Sequence, residues 1–449
     1  MCPFSGITQI FLIILTIILF HTVIVNTLQI KFHNETVKVH MGDTISVPYT
    51  ILRDQNDTDE KYWLQLQSLD NNLANVQEKI YLTNDELPLE GIFNLTGIFL
   101  GKTTVTCKYV EKNTLISGNL DVIIVREERL IDKIFTVSVI ALVSIIYINF
   151  GCVLNWGELR QNLKRPIGPV IGLCGQFILM PLLSYALGKI IFPDSPEMQL
   201  GMFFTGVSPA GGASNIWTLV LDGNVDLSIT MTTISTIAAF GMMPLWIFTL
   251  GKFIFDDAKL AVPYRLIAHY ALALVIPLAI GYLLTRYCKK VASFLARILK
   301  GFSSLLILFI IVFATVTNLY LFKLFSWKIV LAGMGLPYIG FILAYIFSKV
   351  LRQPSADTLA ISIETGIQNT GIAIFLLRVS LSQPAADLTT VCPVAVSVMT
   401  PLPLMAIYIY KKIQARLRSP RKEINGNVAT VDCTETEKCF TILSEERTN

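Results

Sequence analysis

The sequence predicts an all-α polytopic membrane protein carrying a small β-rich domain ahead of its membrane part. Three observations carry that expectation. From residue 134 to 410 the chain is a succession of apolar stretches, each about as long as a bilayer core is thick. From Leu28 to Lys133 it reads instead as soluble sequence with strand-like alternation. Lys and Arg gather in alternate connections between the apolar stretches, as expected of loops kept in the cytosol.

The first element is an apolar run at 10–25, of a length suited to a signal-peptide core or a short signal anchor. No Lys or Arg precedes it, and the region after Val25 is a poor cleavage site. Cleaved or retained, residues 1–27 deliver the following segment to the lumen or exterior. Within 28–133 lie three Asn-x-Ser/Thr sites, at Asn34, Asn56 and Asn94, and the rest of the chain has none. Three sequons confined to one soluble segment predict a glycosylated extracellular or lumenal domain. The stretches LQIKF, ETVKVHM, TTVTCKYV and LDVIIV alternate as half-buried strands do. Gly42-Asp43 and Ser117-Gly118-Asn119 read as turns, and a small β-sandwich is the expected fold. Arg126, Glu127, Glu128 and Arg129 read as a solvated linker.

Nine spans follow, at 134–154, 167–192, 198–221, 227–251, 263–286, 299–321, 328–350, 356–378 and 387–410. An odd number places the C-terminus opposite the N-terminal domain, hence in the cytosol. The cytosolic segments then carry clusters such as Arg286, Lys289, Lys290, Arg297 and Lys300, against scattered Lys and Arg outside. Residues 411–449 are polar and aperiodic and are expected to be a disordered cytoplasmic tail. The sequons favour the plasma membrane as the residence, although a secretory organelle would give the same pattern.

Composition excludes several function classes. Only 15% of residues are charged, where a soluble globular chain carries about a quarter. A net charge of +4 calls for no nucleic-acid partner. Cys107 is alone in its domain, so no disulfide framework exists there, and no Cys/His cluster has zinc-ligand spacing. No catalytic residues and no cofactor are expected. A two-aspartate intramembrane protease would need paired acids within the membrane, and the sequence offers one.

That acid is Glu364. Ten acidic residues lie between 134 and 410, and the other nine fall in loops or at span ends. A carboxylate inside a span costs about 3 kcal/mol even on lenient insertion scales, and no Lys or Arg of similar depth can pair with it. Glu364 also sits in a damaged span. The third span contains GVSPAGGASN (206–215) and the eighth ETGIQNTG (364–371), and each puts Gly and polar residues where a helix should be smooth. Broken backbone survives in a bilayer only if buried in protein or lining a wet cavity. Five spans apart, the two cross the membrane in opposite directions, as in an inverted-topology repeat with its site between discontinuous helices.

Oxygen-bearing side chains surround these breaks. Gln368 lies one turn beyond Glu364 and would share its helix face. Ser214 and Asn215 come from the other break, Ser228, Thr232 and Ser235 form a hydroxyl stripe, and Gln176 adds an amide from the second span. This composition suits a hard cation. Blander readings stand beside it: Gly211-Gly212 as close helix packing, the stripe as backbone hydrogen bonding, Gln176 as interhelical glue. For Glu364 three states remain open, namely a permanent proton, a proton exchanged in turnover, or a bound cation.

At these residues the chain resembles the bile acid/sodium symporter family. The likeness is carried by SPAGGASN (208–215), DLSITMTTISTIAAFGMMPLW (226–246), GQFILMPLL (175–183) and SIETGIQNTGIA (362–373), and covers about 134–410. The resemblance implies a nine-helix inverted-repeat transporter, with a core domain moving against a panel domain and two sodium ions where broken helices cross. It implies one ion site from Ser214, Asn215, Ser228, Thr232 and Glu364. A second would use Gln176, Glu364 and Gln368, with backbone oxygens near Thr365 and Ile367. Asn369 would border the substrate cavity. The implied function is sodium-coupled symport of an organic anion of bile acid or sulfated steroid type, by alternating access in the lipid bilayer. The alternatives are a proton-coupled carrier using Glu364 and a non-transporting receptor or scaffold acting through the N-terminal domain, which the family's bile-acid carriers lack.

Overall fold

In a computed structural model, the structure describes residues 29–52, 61–83, 88–110, 114–127, 129–153, 164, 166–258, 260, 263–295 and 326–418. The leader, Asn56, the sixth predicted span and the tail beyond Arg418 lie outside the described residues. The chain divides into two compact units, Met1–Leu404 and Met405–Asn449.

The N-terminal segment is all β: β1 (Gln29–Phe32), β2 (Thr36–His40), β3 (Thr44–Leu52), β4 (Lys61–Ser68), β5 (Ala74–Asn75), β6 (Gln77–Thr83), β7 (Leu89–Gly97), β8 (Gly101–Tyr109) and β9 (Thr114–Val125). Each stretch singled out by alternation becomes a strand. The strands form one sheet in the order β5-β7-β3-β1-β9-β8-β4-β6, with β2 added on β9. The sheet folds over a single core that includes Ile51, Leu64, Leu66, Leu95, Val105, Val122 and Ile124. The halves β5-β7-β3-β1 and β2-β9-β8-β4-β6 both contribute to this core and are continuous only at the Gln29↔Ser117 pair, so the outline is the expected sandwich with its two sheets joined along β9. Strand β9 joins the halves, pairing in parallel with β1 at Gln29↔Ser117 and with β2 from Thr36↔Asp121 to His40↔Val125.

The junction explains a misread motif. Ser117-Gly118-Asn119 is no turn; it lies inside β9, where the β8 register slips from Thr106↔Asn119 to Cys107↔Ile116. The slip is a β-bulge, which bends a strand between neighbours. Gly118 adopts φ 131°, and a Cβ there would stand 1.9 Å from the Ile30 carbonyl oxygen, so only glycine fits. Gly42, by contrast, does make the expected turn at φ 92°. Cys107 is a buried free thiol; burial pushes it up to about 12, which makes it a core residue and not a thiolate.

The helical part begins with α1 (Leu130–Val153) and continues through α2 (Ile167–Cys174), a π turn (Gly175–Leu179), α3 (Met180–Ile191), α4 (Pro196–Val207), α5 (Ala213–Val220), α6 (Val225–Phe248) and α7 (Leu250–Asp257). Then come α8 (Tyr264–Tyr287), α9 (Trp327–Val350), α10 (Ser355–Gly366), α11 (Thr370–Ser380), α12 (Ala385–Leu388), α13 (Val391–Met399) and α14 (Pro401–Arg418). Among the described residues, four helical stretches are long and apolar enough to cross a bilayer: Ile167–Ile191, Val225–Phe248, Trp327–Val350 and Ala385–Gln414. Helices α1 and α8 approach closely at Gly151 and Gly281. A Cβ on Gly281 would lie 1.9 Å from the Ile148 carbonyl oxygen, and one on Gly151 would lie 2.2 Å from that of Leu278.

Both damaged spans are interrupted where the sequence placed the damage. After α4 the chain leaves the helix at Ser208, whose ψ of 155° is the extended conformation a following proline imposes. After α10 it leaves at Ile367, ψ 102°. The two breaks then pair with each other. Ala210 and Gln368 form an antiparallel bridge, Gly211 N–H donates to Ile367 O at 2.8 Å, and Asn369 N–H donates to Pro209 O at 2.9 Å. Backbone groups freed from one helix are satisfied by the other, which is what non-helical chain at membrane depth requires.

Of the segment between the β domain and α1, Glu127 and Arg129 are exposed as expected of a solvated linker, but Arg126 is not. Arg126 is buried, because Asp132 and Asp387 receive its guanidinium.

Candidate cation site

Glu364 is 2% exposed and lies in the last turn of α10, facing α6. Its Oε2 accepts from Ser228 Oγ at 2.8 Å and its Oε1 from Thr232 Oγ1 at 2.5 Å. Ser228 and Thr232 sit one turn apart on α6, so both hydroxyls project from one face. That helix is held at its start by Asn224, which caps Leu227 N–H and donates to Asp357 at the head of α10.

Asn215, in the first turn of α5, completes the group. Its Oδ1 lies 2.9 Å from Ser228 Oγ and 3.2 Å from Thr232 Oγ1, while Thr232 Oγ1 is also 3.0 Å from the Ser228 carbonyl oxygen. Each hydroxyl has a single hydrogen to give. With the Asn215 amide oxygen turned inward as it stands, two hydrogens face five close oxygen contacts, and the surplus oxygens crowd one another. Ser214 also bears on the Glu364 carboxylate, yet its fully buried hydroxyl makes no hydrogen bond of good geometry. Among the described residues no Lys, Arg or His pairs with Glu364, and no cluster of three His, Cys, Asp or Glu exists to hold a transition metal. A buried carboxylate ringed by neutral oxygens in excess of hydrogens is an environment that a hard monovalent cation would relieve.

Gln176 and Gln368 form a second centre. Gln176 lies in the π turn, a local widening of the helix that often marks functional positions. Its Nε2 donates to Gln368 Oε1 and to the Ser208 carbonyl, both at 2.7 Å. Gln368 Nε2 donates to Thr365 O at 2.7 Å, and Ile367 O takes the Gly211 N–H. Both carbonyls expected near an ion thus hold one hydrogen bond each, leaving one lone pair apiece. Thr365 Oγ1 is buried without a partner, 2.7 Å from where a Cβ on Gly175 would stand.

Several expectations change on contact with this geometry. Gln368 does not share a helix face with Glu364, because α10 ends at Gly366 and Gln368 lies in the unwound crossing. Ser235 leaves the stripe: its hydroxyl donates to Thr232 O in its own helix at 3.0 Å. Asn369 is half-buried and caps α11, its Oδ1 accepting from Ile372 N–H at 3.2 Å. Thr218 was missed. It comes from α5, and its Oγ1 lies 3.3 Å from Ser228 Oγ. Being one helical turn from Ser214 and Asn215, it could have been read from the sequence.

The apolar helices and the paired breaks define the class: a helical, multi-pass membrane transporter. Comparison with known proteins narrows it. A family model described as the sodium bile acid symporter family matches residues 139–325. The rat hepatic sodium/bile acid cotransporter is 32% identical over 260 residues, covering 56% of this chain and 70% of that protein. The rat sodium-dependent organic anion transporter is 33% identical over 251 residues, 56% of this chain and 66% of that one. The human P3 protein is 31% identical over 271 residues, 60% of this chain, and the match spans 57% of its length. The chain belongs to the sodium bile acid symporter family, a family of transporters and not of enzymes.

Proposed function

We propose that the protein is a sodium-coupled symporter of organic anions, working by alternating access around the crossing of α4–α5 and α10–α11. The carrying observation is the oxygen excess at Glu364: sodium there would accept Ser214, Asn215, Ser228, Thr232 and Glu364 as ligands and remove the repulsion among them. A second ion at Gln176 and Gln368 would take the free lone pairs of the Thr365 and Ile367 carbonyls. With sodium bound, both interrupted helices are tied to one charge, and the cavity bordered by Asn369 is set for an amphipathic anion. Relatives named for bile acids and organic anions support that substrate class.

The finer architecture belongs to the same reading. Nine spans form an inverted-repeat core and panel, residues 28–133 lie outside the cell bearing glycans at Asn34, Asn56 and Asn94, and the segment after 410 is cytosolic. The membrane of residence is the plasma membrane.

The test needs no known substrate. A ligand that binds only the folded state raises stability by mass action. The purified chain should melt several degrees higher in sodium than in potassium or choline, and Glu364→Gln should abolish the difference. Equal melting in all three salts for intact wild-type protein would end the sodium reading. A pH-dependent uptake in sodium-free medium would replace it with proton coupling.

A further inference from the structure

The β domain is joined to the helical part by a buried ion cluster. Arg126, at the end of β9, reaches Asp132 at 2.5 Å and Asp387 at 3.4 Å; Asp387 also takes Arg378, from the end of α11, at 3.1 Å. Beside this cluster is a cavity of about 830 Å³, walled on one side by the ends of β2 and β9 and on the other by the start of α1 and the α11–α12 turn.

Its charge is one-sided. Four permanent cations line it, Lys38, Arg126, Lys133 and Arg378, against two carboxylates, Asp132 and Asp387, with His40 in addition. Both carboxylates are already engaged by the two arginines. Lys38, His40 and Lys133 have no ion-pair partner among the described residues. Lys38 and His40 stand on the same face of β2, two residues apart, while Val37 and Val39 turn inward. Lysine on an edge strand commonly serves only to block pairing, but here that face lines an open cleft between the β domain and the helices. Val137 and Leu381 add apolar wall. The volume is in the range of small-molecule sites, and apolar wall with a few convergent charges is their usual make-up.

We infer that this cavity is a second binding site, for an amphipathic organic anion, with Lys38, His40 and Lys133 receiving the anionic head and Val137 and Leu381 the apolar body. The inference rests on the proposed transport reading only for which side of the bilayer the cavity faces. There it would hold substrate at the entrance, since a cleft lined by one sign of charge raises the local concentration of the opposite ion. Helix α11 rises about 14 Å from Asn369 at the crossing to the Arg378–Asp387 pair, so one rigid element borders both sites.

The experiment is equilibrium binding of tritiated taurocholate and estrone sulfate to the purified full chain, in choline medium and in sodium medium. Saturable binding in choline is expected for at least one probe. The double variant Lys38→Glu/Lys133→Glu should weaken it at least tenfold, and Lys38→Arg/Lys133→Arg should retain it. Both lysines are exposed, so neither change removes a packed side chain, and a thermal melt checks that the variants fold. Absence of saturable choline-medium binding for both probes overturns the inference, as does binding that charge reversal leaves unchanged or that the arginine variant also loses. A sodium-dependent component removed by Glu364→Gln reports separately on the proposed transport site, so the two readings fail independently.

Discussion

Ala210 and Gln368 pair backbone to backbone where two interrupted helices cross, although 158 residues of chain separate them. The bridge places Gly211 against the Gln368 and Ile367 backbone, and it sets α5 beside the end of α10. Asn215 and Glu364 consequently converge on the α6 hydroxyls. The proposed cation site is thus a product of the crossing.

Adding one carbon at the crossing should be costly. A Cβ on Gly211 would stand 2.9 Å from the Gln368 carbonyl oxygen and 3.2 Å from its carbon, neither of which belongs to a movable side chain. Gly211→Ala should destabilise the protein by about 1–3 kcal/mol, the usual range for overpacking, and should weaken sodium stabilisation. Gly241→Ala is the control: a Cβ there meets nothing within 4 Å, and alanine favours a helix interior by up to about 1 kcal/mol. Thermal melts of both in sodium and potassium check the pair. Equal losses would refute the role given to the crossing.

Within the hydroxyl stripe, the three residues should part company. Ser228→Ala and Thr232→Ala each remove an oxygen within 2.8 Å of the carboxylate. Each should raise the sodium concentration for half-maximal stabilisation about tenfold, equivalent to about 1.4 kcal/mol. Ser235→Ala removes only a bond to its own helix backbone and should leave the sodium titration unchanged. Equal effects for all three would point to general helix damage.

The junction cluster should make stability depend on acid pH. Burial works to raise the Asp132 carboxyl, which precedes the span predicted to start at 134, but hydrogen bonds from Arg126 and Arg129 and the Arg126 charge outweigh it and hold it below the ordinary range. A carboxyl depressed in the folded state is protonated more readily after unfolding, where its pKa is about 3.9. The interaction therefore adds stability above that value and loses it as pH falls through the lower, folded pKa. Thermal midpoints of wild type should drop more steeply below about pH 4 than those of Asp132→Asn, which has no proton to take up. Parallel curves would show that the cluster does not contribute.

Sidedness can be read from glycan mass. Asn34 lies exposed between β1 and β2, and Asn94 is exposed on β7, where Ser46 donates to its Oδ1. Each Asn→Gln substitution at Asn34, Asn56 and Asn94 should remove one glycan step on a gel, with all steps erased by an amidase that cleaves N-glycans. A chain of unmodified mass from a secreting cell would place the β domain on the cytosolic side.

Much of this protein is legible without coordinates, for reasons of local physics. A bilayer-length apolar run, a strand's alternation and a buried carboxylate with no partner are properties of short windows, so the helical class, the strands and Glu364 could all be read directly. The two breaks were equally visible, because Gly and Pro interrupt a helix whatever surrounds them. What failed were inferences that needed a neighbour. Gly118 looks like a turn until Ile30 is set against it, and Arg126 looks solvated until Asp387, 261 residues on, is brought beside it. Gln368 matched Glu364 by helical spacing, but the crossing unwinds the helix between them and hands Gln368 to Gln176. The sequence by itself determined which side chains could carry a cation and where helices must break. Only tertiary structure decided which oxygens meet, because hydrogen-bond partners across a crossing are chosen by distance in space, and chain spacing does not encode it.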